Sequence, residues 1–434
     1  MNDSTLAPLA KKTASRALKA PHSLPAILVT LSVLLIACSN SKSGEPLVTN
    51  SIGSVTMQRL ISISDLNYEG AFTVPSETFG DSNMNYSAGP LEVNGNSMFI
   101  VGHNHDQSIA EFKIPLLVDS LNVSDLNSTG KPVQNFNKFI DRATDNDENL
   151  NKIVGMELVD DSLVVNLIDY YDAAADNVRT TILINDADSL STSALSAIHL
   201  MEGRSRAGGW ISRVPEDWQS VLRATHISGN SSGYPIIGRF SVGPSAFAVN
   251  LSDSLQSSTA QKIETKELQG FSLNRPLHND LLNKSLSNGL WTHMSHARYG
   301  FIVPGTSTYL TIGVSAGHET GVGYKNMLEN GVECLGFCPN SSTDIANFYW
   351  LWDMNDWLRV RAGKLNPSEI TPYDHGELKM PFQRDTYANQ RVYINPIGGA
   401  SYDEESGLLY ISILHANVDD YQNPPVVVAY SIGR

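Results

Sequence analysis

The chain has 434 residues, a formal net charge of −15 at pH 7 and 41% hydrophobic residues. An acidic chain without a run of basic residues repels the phosphate backbone, so we predict no nucleic-acid partner. The length is sufficient to bury a large core, and repeat-built all-β folds reach this size as one domain.

The first 38 residues have the organisation of an export signal. Four basic residues lie within residues 11–19, and the apolar run 26–37 follows them. That run is too short to cross a ~30 Å hydrocarbon core as a helix. It ends at Ala37-Cys38, which resembles the lipobox of bacterial lipoproteins, whose cysteine is diacylated. We therefore predict a lipoprotein signal peptide over residues 1–38 and a lipid on Cys38, which would be the protein's contact with the bacterial cell envelope outside the cytoplasm.

The rest of the chain divides into a tether and one large domain. Residues 39–57 are rich in Ser, Asn and Gly, which predicts a flexible tether. Residues 58–434 contain recurrent short runs of strand-forming residues, each bounded by Gly, Pro, Asn or Asp. Strands are predicted at 67–74, 86–93, 97–102, 108–114, 153–159, 163–168, 178–185, 207–211, 221–226, 236–240, 245–250, 299–303, 308–314, 347–352, 397–402, 408–413 and 426–431.

Some of these runs repeat one pattern. Residues 87–101 and 397–411 both read as a small-residue entry, a strand, a polar turn with Gly and a second strand, and residues 152–166 are a third copy. This pattern is typical of blades in an all-β propeller, where small residues allow the inner strands to approach the axis. Five blades can be counted, and a large β-sandwich is the alternative. Up to seven blades would result if the long segments also held blades, namely 116–150, 251–290 and 354–396.

One helix is predicted within this β-rich chain. The strand before it ends at Asp353, Asn355 can cap the following turns, and Gly363 suits the left-handed position at a helix C-terminus.

Cys334 and Cys338 are the cysteines that follow Cys38. Two close thiols outside the cytoplasm usually oxidise, so we favour a disulfide between them. Free thiols and a metal site are the alternatives, and zinc would need further ligands at suitable spacing.

Four stretches resemble an uncharacterised family of secreted bacterial propeller-like proteins. The resemblance covers most of residues 65–432 and implies the propeller fold, but it brings no activity. The stretches are 350–363, 372–373, 210–218 and 238–248.

Polar and aromatic residues concentrate where the predicted blades open on one rim. This rim combines the loops after the second strands with the entries to the first strands, and it holds seven of the eleven histidines. A concave pocket on the axis with convergent polar groups is a typical ligand site. The loops supply His103, His105, Asp106, Asp169, Tyr170, Tyr171, Asp172, His226, His318, Glu319 and His415. The strand entries supply Tyr86, Arg204, Arg206, Trp210, His293 and His296.

We assign candidate roles by side-chain chemistry. Histidines at equivalent loop positions would line one pocket and titrate near pH 6 to 7; they are His103, His105, His226, His318 and His415. Catalytic candidates also include Asp169, Tyr171, Arg206 and Glu319. Ligand-binding candidates are Tyr86, Tyr170, Trp210, His293 and His296. His103 and His105 could project together as metal ligands, but such pairs are more often solvated, so we predict no metal and no cofactor.

The predicted function is the binding of an extracellular ligand at this rim, with a glycan favoured because aromatic residues lie beside polar loops. The alternatives are a carbohydrate-active enzyme on the same rim and a protein-interaction scaffold. A polysaccharide lyase would use His or Tyr as base and Arg to neutralise a uronate. A glycoside hydrolase would need paired carboxylates from Asp106, Asp169, Asp172 or Glu319. One Arg and two His in a single pocket would favour the lyase.

Overall fold

The computed structural model describes residues 58–233, 239–329, 331, 333–383, 394–418 and 422–433. The predicted signal peptide, the lipid attachment at Cys38 and the tether over 39–57 lie outside these residues. Most of the predicted strand at 236–240 also lies outside them.

The described chain is all-β, with five small sheets arranged as a five-bladed β-propeller. In chain order the strands are β1 (Leu66–Thr73), β2 (Leu91–Asn94), β3 (Ser97–Val101), β4 (Ile109–Lys113), β5 (Gln134–Asn137), β6 (Lys152–Val159), β7 (Ser162–Ile168), β8 (Thr181–Ile184), β9 (Leu200–Met201), β10 (Trp210–Arg213), β11 (His226–Gly229), β12 (Ala246–Val249), β13 (Lys262–Ile263), β14 (Thr265–Gln269), β15 (His296–Ile302), β16 (Thr308–Ala316), β17 (Val322–Tyr324), β18 (Phe337–Pro339), β19 (Ile345–Asp353), β20 (Asp374–Glu377), β21 (Ile397–Asp403), β22 (Leu408–Ile413) and β23 (Val426–Ile432).

The blades follow one another along the chain. From the axis outward, the first blade is β2-β3-β4-β5, the second β6-β7-β8, the third β10-β11-β12-β14, the fourth β15-β16-β19-β20 and the fifth β21-β22-β23-β1. The short pairs β9-β13 and β17-β18 lie outside these sheets. Cys338 lies on β18 and forms a disulfide with Cys334, as their spacing predicted.

The two ends of the domain meet in the fifth blade. β1 pairs antiparallel with β23, from Leu66 opposite Ile432 to Thr73 opposite Val426. This pairing closes the propeller and covers an edge that would otherwise be open. The first and last strands of the domain therefore share one blade.

As far as the structure describes them, the long segments between predicted strands hold no further blades. The segment 116–150 supplies β5, the segment 251–290 supplies β13 and β14, and the segment 354–396 supplies a helix and β20. Of these elements, β5, β14 and β20 complete the outer edges of existing blades, whereas β13 pairs with β9 outside them. The β-sandwich alternative is wrong.

Two α-helices occur in the described residues, α1 (Glu216–Leu222) and α2 (Met354–Arg361). The prediction of α2 is confirmed, but Asp353 caps it, because its carboxylate accepts a hydrogen bond from the Asn355 N–H at 2.9 Å. Helix α1 was not predicted. It buries Trp218 and Leu222, one turn apart, in a region where the sequence predicted the strand 221–226.

The five innermost strands form a closed ring around the axis. β2 contacts β6, β6 contacts β10, β10 contacts β15, β15 contacts β21, and β21 contacts β2. Glycines make these approaches close: a methyl group at Gly155 would collide with the Gly209 carbonyl, and one at Gly89 would collide with the Gly398 backbone. Farther from the axis the core is apolar, with Trp350 and Trp352 of β19 and Trp357 of α2 fully buried.

Two carboxyl groups are buried further along the ring strands. Glu92 on β2 accepts hydrogen bonds from the Ser401 hydroxyl at 2.9 Å and the Leu158 N–H at 3.3 Å. Burial raises the pKa of Glu92 to about 8, and burial and the charge of Glu92 raise the pKa of Glu157 on β6 well above its usual range. The pair is therefore held largely protonated at neutral pH.

This burial predicts that the propeller loses stability as the pH rises. Because the folded pKa of Glu92 lies above the unfolded value, its contribution is complete below about pH 4 and is lost as the pH rises to about 8. Glu92→Gln should raise the free energy of unfolding at pH 8 by ~1–3 kcal/mol and flatten the pH dependence. Denaturant unfolding at several pH values measures both. The exposed Glu405→Gln is the control, and an unchanged slope in Glu92→Gln would contradict the prediction.

Candidate functional site

A cavity of about 590 Å³ opens at one end of the propeller axis, and we call it the axial pocket. It is formed where the ring strands begin and where the loops after the second strands turn back. A narrower space of about 20 Å³, enough for one water, continues from this cavity along the axis. Residues from all five ring strands, or from the residues next to their first positions, line this space. The axial pocket is lined by Tyr86, Ser87, Ala88, His103, Asn104, His105, Lys152, Tyr170, Gly233, His296, Arg298, Leu414 and His415.

The lining of the axial pocket is basic although the protein is strongly acidic. It includes Lys152, Arg298 and four histidines, and no Asp or Glu belongs to the described lining. The nearest carboxylates along the chain already have partners. The Asp106 carboxylate accepts a hydrogen bond from the Ser82 hydroxyl at 2.8 Å and lies 4.0 Å from His103 Nδ1, and Asp169 accepts a hydrogen bond from the Asn151 amide at 3.0 Å.

Lys152 is the first residue of β6 and points its ammonium group into the axial pocket. The ammonium donates a hydrogen bond to the Asn104 side-chain oxygen and lies 5.8 Å from the centroid of the Tyr170 ring. Burial, and to a smaller extent the charge of Arg298, lower the pKa of Lys152 to about 8. Lys152 is therefore mostly charged at pH 7 and loses its charge just above that pH.

Tyr86 lies between histidines from two blades. Its ring centroid is 5.8 Å from those of both His103 and His415, and its side chain remains 47% exposed. The His105 N–H donates to His103 Nδ1 at 3.2 Å, which places the proton of a neutral His103 ring on Nε2. Burial lowers the pKa of His415, so its imidazole is neutral at pH 7.

His296 lies on β15 at the base of the axial pocket and is buried. Gly233, with φ of +127°, packs directly against its ring, and a methyl group there would collide with the imidazole. Burial, with smaller effects of Arg298 and Lys152, lowers the pKa of His296 well below its usual range. His296 is therefore neutral at pH 7.

The structure brings together six of the sequence-predicted residues. They lie at or just before the start of a ring strand, or in the loop after the second strand of a blade, where the sequence predicted them. They are Tyr86, His103, His105, Tyr170, His296 and His415.

His226 does not reach the axial pocket, so its predicted place there is wrong. The sequence placed His226 in the loop after a strand at 221–226, but β11 starts at His226 because α1 occupies the preceding residues. Its Nε2 lies 3.7 Å from Glu157 Oε1, and burial lowers the pKa of His226 to about 3. It belongs to the environment of the buried carboxyl pair.

His318 occupies the expected loop, yet its ring turns into the fourth blade. Its Nε2 is hydrogen-bonded to the Ser315 hydroxyl at 2.6 Å and its Nδ1 to the Asn288 carbonyl at 2.8 Å. The ring also stacks on Phe348. Because both ring nitrogens are hydrogen-bonded in this way, His318 does not line the axial pocket. Of the five histidines expected there, His103, His105 and His415 line it.

Other predicted residues lie outside the axial pocket. His293 stacks on Phe337, with 4.6 Å between ring centroids. Trp210 is buried, donates a hydrogen bond to the Tyr309 hydroxyl at 3.0 Å and lines the narrow continuation. Tyr171 and Glu319 are exposed, and Arg206 forms an ion pair with Glu267.

Sequence reasoning missed the two basic residues of the axial pocket. Lys152 is the first residue of the third repeat copy, so its position at a ring-strand entry was the available signal. Arg298 follows His296 by two residues on β15, a spacing that places both on one face of a strand.

The carboxylates proposed for a hydrolase do not meet in the axial pocket. Asp172 forms a buried ion pair with Arg239, at 2.8 Å between carboxylate oxygen and guanidinium nitrogen. In the described residues, no group of three or more His, Cys, Asp or Glu side chains could hold a metal ion.

No protein-family model and no curated protein matches the chain. The propeller part of the resemblance is confirmed by the fold, and membership of the secreted family stays a prediction. No helix in the described part of the chain is long and apolar enough to cross a membrane.

Proposed function

We propose that the axial pocket binds the carboxylate of an acidic glycan. The observation that carries this proposal is the combination of Lys152 and Arg298 in a lining whose described residues include no carboxylate. A guanidinium group can hold a carboxylate through two parallel hydrogen bonds, and an ammonium group adds a point charge. Partial burial strengthens both interactions relative to bulk water.

The remaining lining supports a sugar as the carrier of that carboxylate. Tyr86 is 47% and Tyr170 is 49% exposed, so each presents part of an aromatic ring to a ligand. Neutral imidazoles and the Asn104 amide can exchange hydrogen bonds with hydroxyl groups. The volume of about 590 Å³ lies within the range of small-ligand sites.

Binding should depend on both the ligand carboxylate and Lys152. Calorimetry with galacturonate oligomers is expected to show binding, and the equivalent galactose oligomers should bind at least ~10-fold more weakly, since each charge-assisted contact contributes ~1.5–3 kcal/mol. Lys152→Met should cause a similar loss, whereas the exposed Lys364→Met should cause none. Affinity should fall as the pH rises through about 8, where Lys152 becomes neutral, and Lys152→Met should lack this dependence. Equal binding of the neutral oligomer would contradict the proposal.

A second candidate function is β-elimination on the same ligand. It is favoured by the neutral His415 and the partly exposed Tyr86 beside the two basic groups. Lys152 and Arg298 would neutralise the uronate carboxylate, which makes the C5 proton more acidic. The imidazole would take that proton, and the electrons of the C5–H bond would form the C4=C5 double bond. The C4–O bond would break as Tyr86 protonates the leaving oxygen.

The lyase candidate is tested by the ultraviolet absorbance of the unsaturated uronate product. We expect product from galacturonate oligomers with the unaltered protein, and a loss of at least ~100-fold in rate for Tyr86→Phe and His415→Ala with oligomer binding retained. Binding without any product in the unaltered protein would assign the pocket to a binding protein.

We further propose that the protein is held on the bacterial envelope by a lipid on Cys38, which the basic, apolar and small-residue order before Cys38 supports. Cys38→Ser should shift the protein from the detergent phase to the aqueous phase in a phase-partition assay, because the acyl chains supply its membrane affinity. Cys334→Ser is the matched control and should stay in the detergent phase. Recovery of Cys38→Ser in the detergent phase at the unaltered level would contradict the assignment.

A further inference from the structure

A second cavity, of about 540 Å³, lies on the other side of the loop that follows β7, and we call it the lateral pocket. Tyr170 lines the axial pocket, and Asp172, two residues later, lines the lateral pocket. Two residues of extended chain span at most ~7 Å, so the edges of the two pockets are close together at this loop.

The loop between the two pockets is held in place by a buried side chain. Arg239 is buried, forms an ion pair with Asp172 at 2.8 Å and donates a hydrogen bond to the Asp169 carbonyl at 3.2 Å. Arg239 itself lines the lateral pocket. The wall between the pockets is therefore fixed by contacts at both ends of residues 169–172.

The lateral pocket includes two basic groups for which the described residues supply no ion-pair partner. Each of its three carboxylates is already in an ion pair: Asp172 with Arg239, Glu202 with Lys262 and Glu267 with Arg206. Arg204 and Lys266 also line this pocket, both are exposed, and neither side chain has an ion-pair partner among the described residues. Their free charges favour an anionic ligand.

An exposed aromatic ring stands on the wall between the pockets. Tyr171 follows Tyr170 directly and is 62% exposed. Its N–H donates to the Asp169 carboxylate at 3.1 Å, which fixes the backbone while the ring faces solvent. A ring in this position can stack on a sugar that passes from one pocket to the other.

We propose that the lateral pocket is a second subsite for the same acidic glycan, so that the ligand is an oligomer that crosses the wall at Tyr171 and places a further carboxylate near Arg204 and Lys266. This inference rests on the proposed function of the axial pocket. Two linked sites raise the affinity for a ligand long enough to reach both, because the second contact is intramolecular.

Calorimetry with galacturonate oligomers of increasing length tests the proposal. In the unaltered protein, affinity should rise at least ~10-fold once the oligomer reaches both pockets. The double variant Arg204→Ala, Lys266→Ala should lose this gain while it binds the shortest ligands normally, and Tyr171→Ala should lose part of it. The exposed pair Arg275→Ala, Lys284→Ala removes the same net charge elsewhere and should retain the gain.

The outcomes separate this inference from the function of the axial pocket. If short oligomers bind through Lys152 and longer oligomers bind with no higher affinity, the second subsite is wrong and the axial proposal stands. Long oligomers that depend on Arg204 and Lys266 but not on Lys152 would support the lateral site and contradict the axial one. Absence of binding at every length would contradict both.

Discussion

The close approach of the five ring strands is the constraint on which the rest of the structure depends. Gly155 against Gly209 and Gly89 against Gly398 allow backbones to meet where any side chain would collide. With the ring closed, each blade extends outward, and the pairing of β1 with β23 fixes the two ends of the chain in the same sheet. The ring also leaves a space for only about one water along part of the axis, so larger ligands are confined to its mouth.

The ring strands carry a basic side chain at the axial pocket and buried carboxyl groups farther along the axis. Lys152 opens β6 at the axial pocket, and Glu157 lies further along the same strand, in the buried carboxyl pair with Glu92. At both places burial opposes charge: it lowers the pKa of Lys152 and raises that of Glu92. The lysine nevertheless remains mostly charged at neutral pH, because its pKa of about 8 is still above that pH. The pocket therefore keeps a basic character within an acidic protein.

The fold was largely predictable because its signals are local and repeated. The copies at 87–101, 152–166 and 397–411 reveal ring strands directly. The entries to the predicted first strands, which include the strand at 299–303, placed Tyr86 and His296 at the axial pocket. The error at His226 came from α1, whose apolar residues read equally well as a strand. The error at His318 came from side-chain direction, since contacts with Ser315 and Asn288 depend on tertiary structure. Arg298 was missed because its two-residue spacing from His296 points to the axial pocket only after the neighbouring blades are placed around that strand.

A crystal structure of the protein with a galacturonate oligomer would locate the bound carboxylate. We expect one uronate carboxylate in the axial pocket, in contact with the Lys152 ammonium and the Arg298 guanidinium, with a sugar face on Tyr86 or Tyr170. An oligomer bound on another face of the propeller, with its carboxylates away from both basic residues, would show that the axial pocket is not the glycan site.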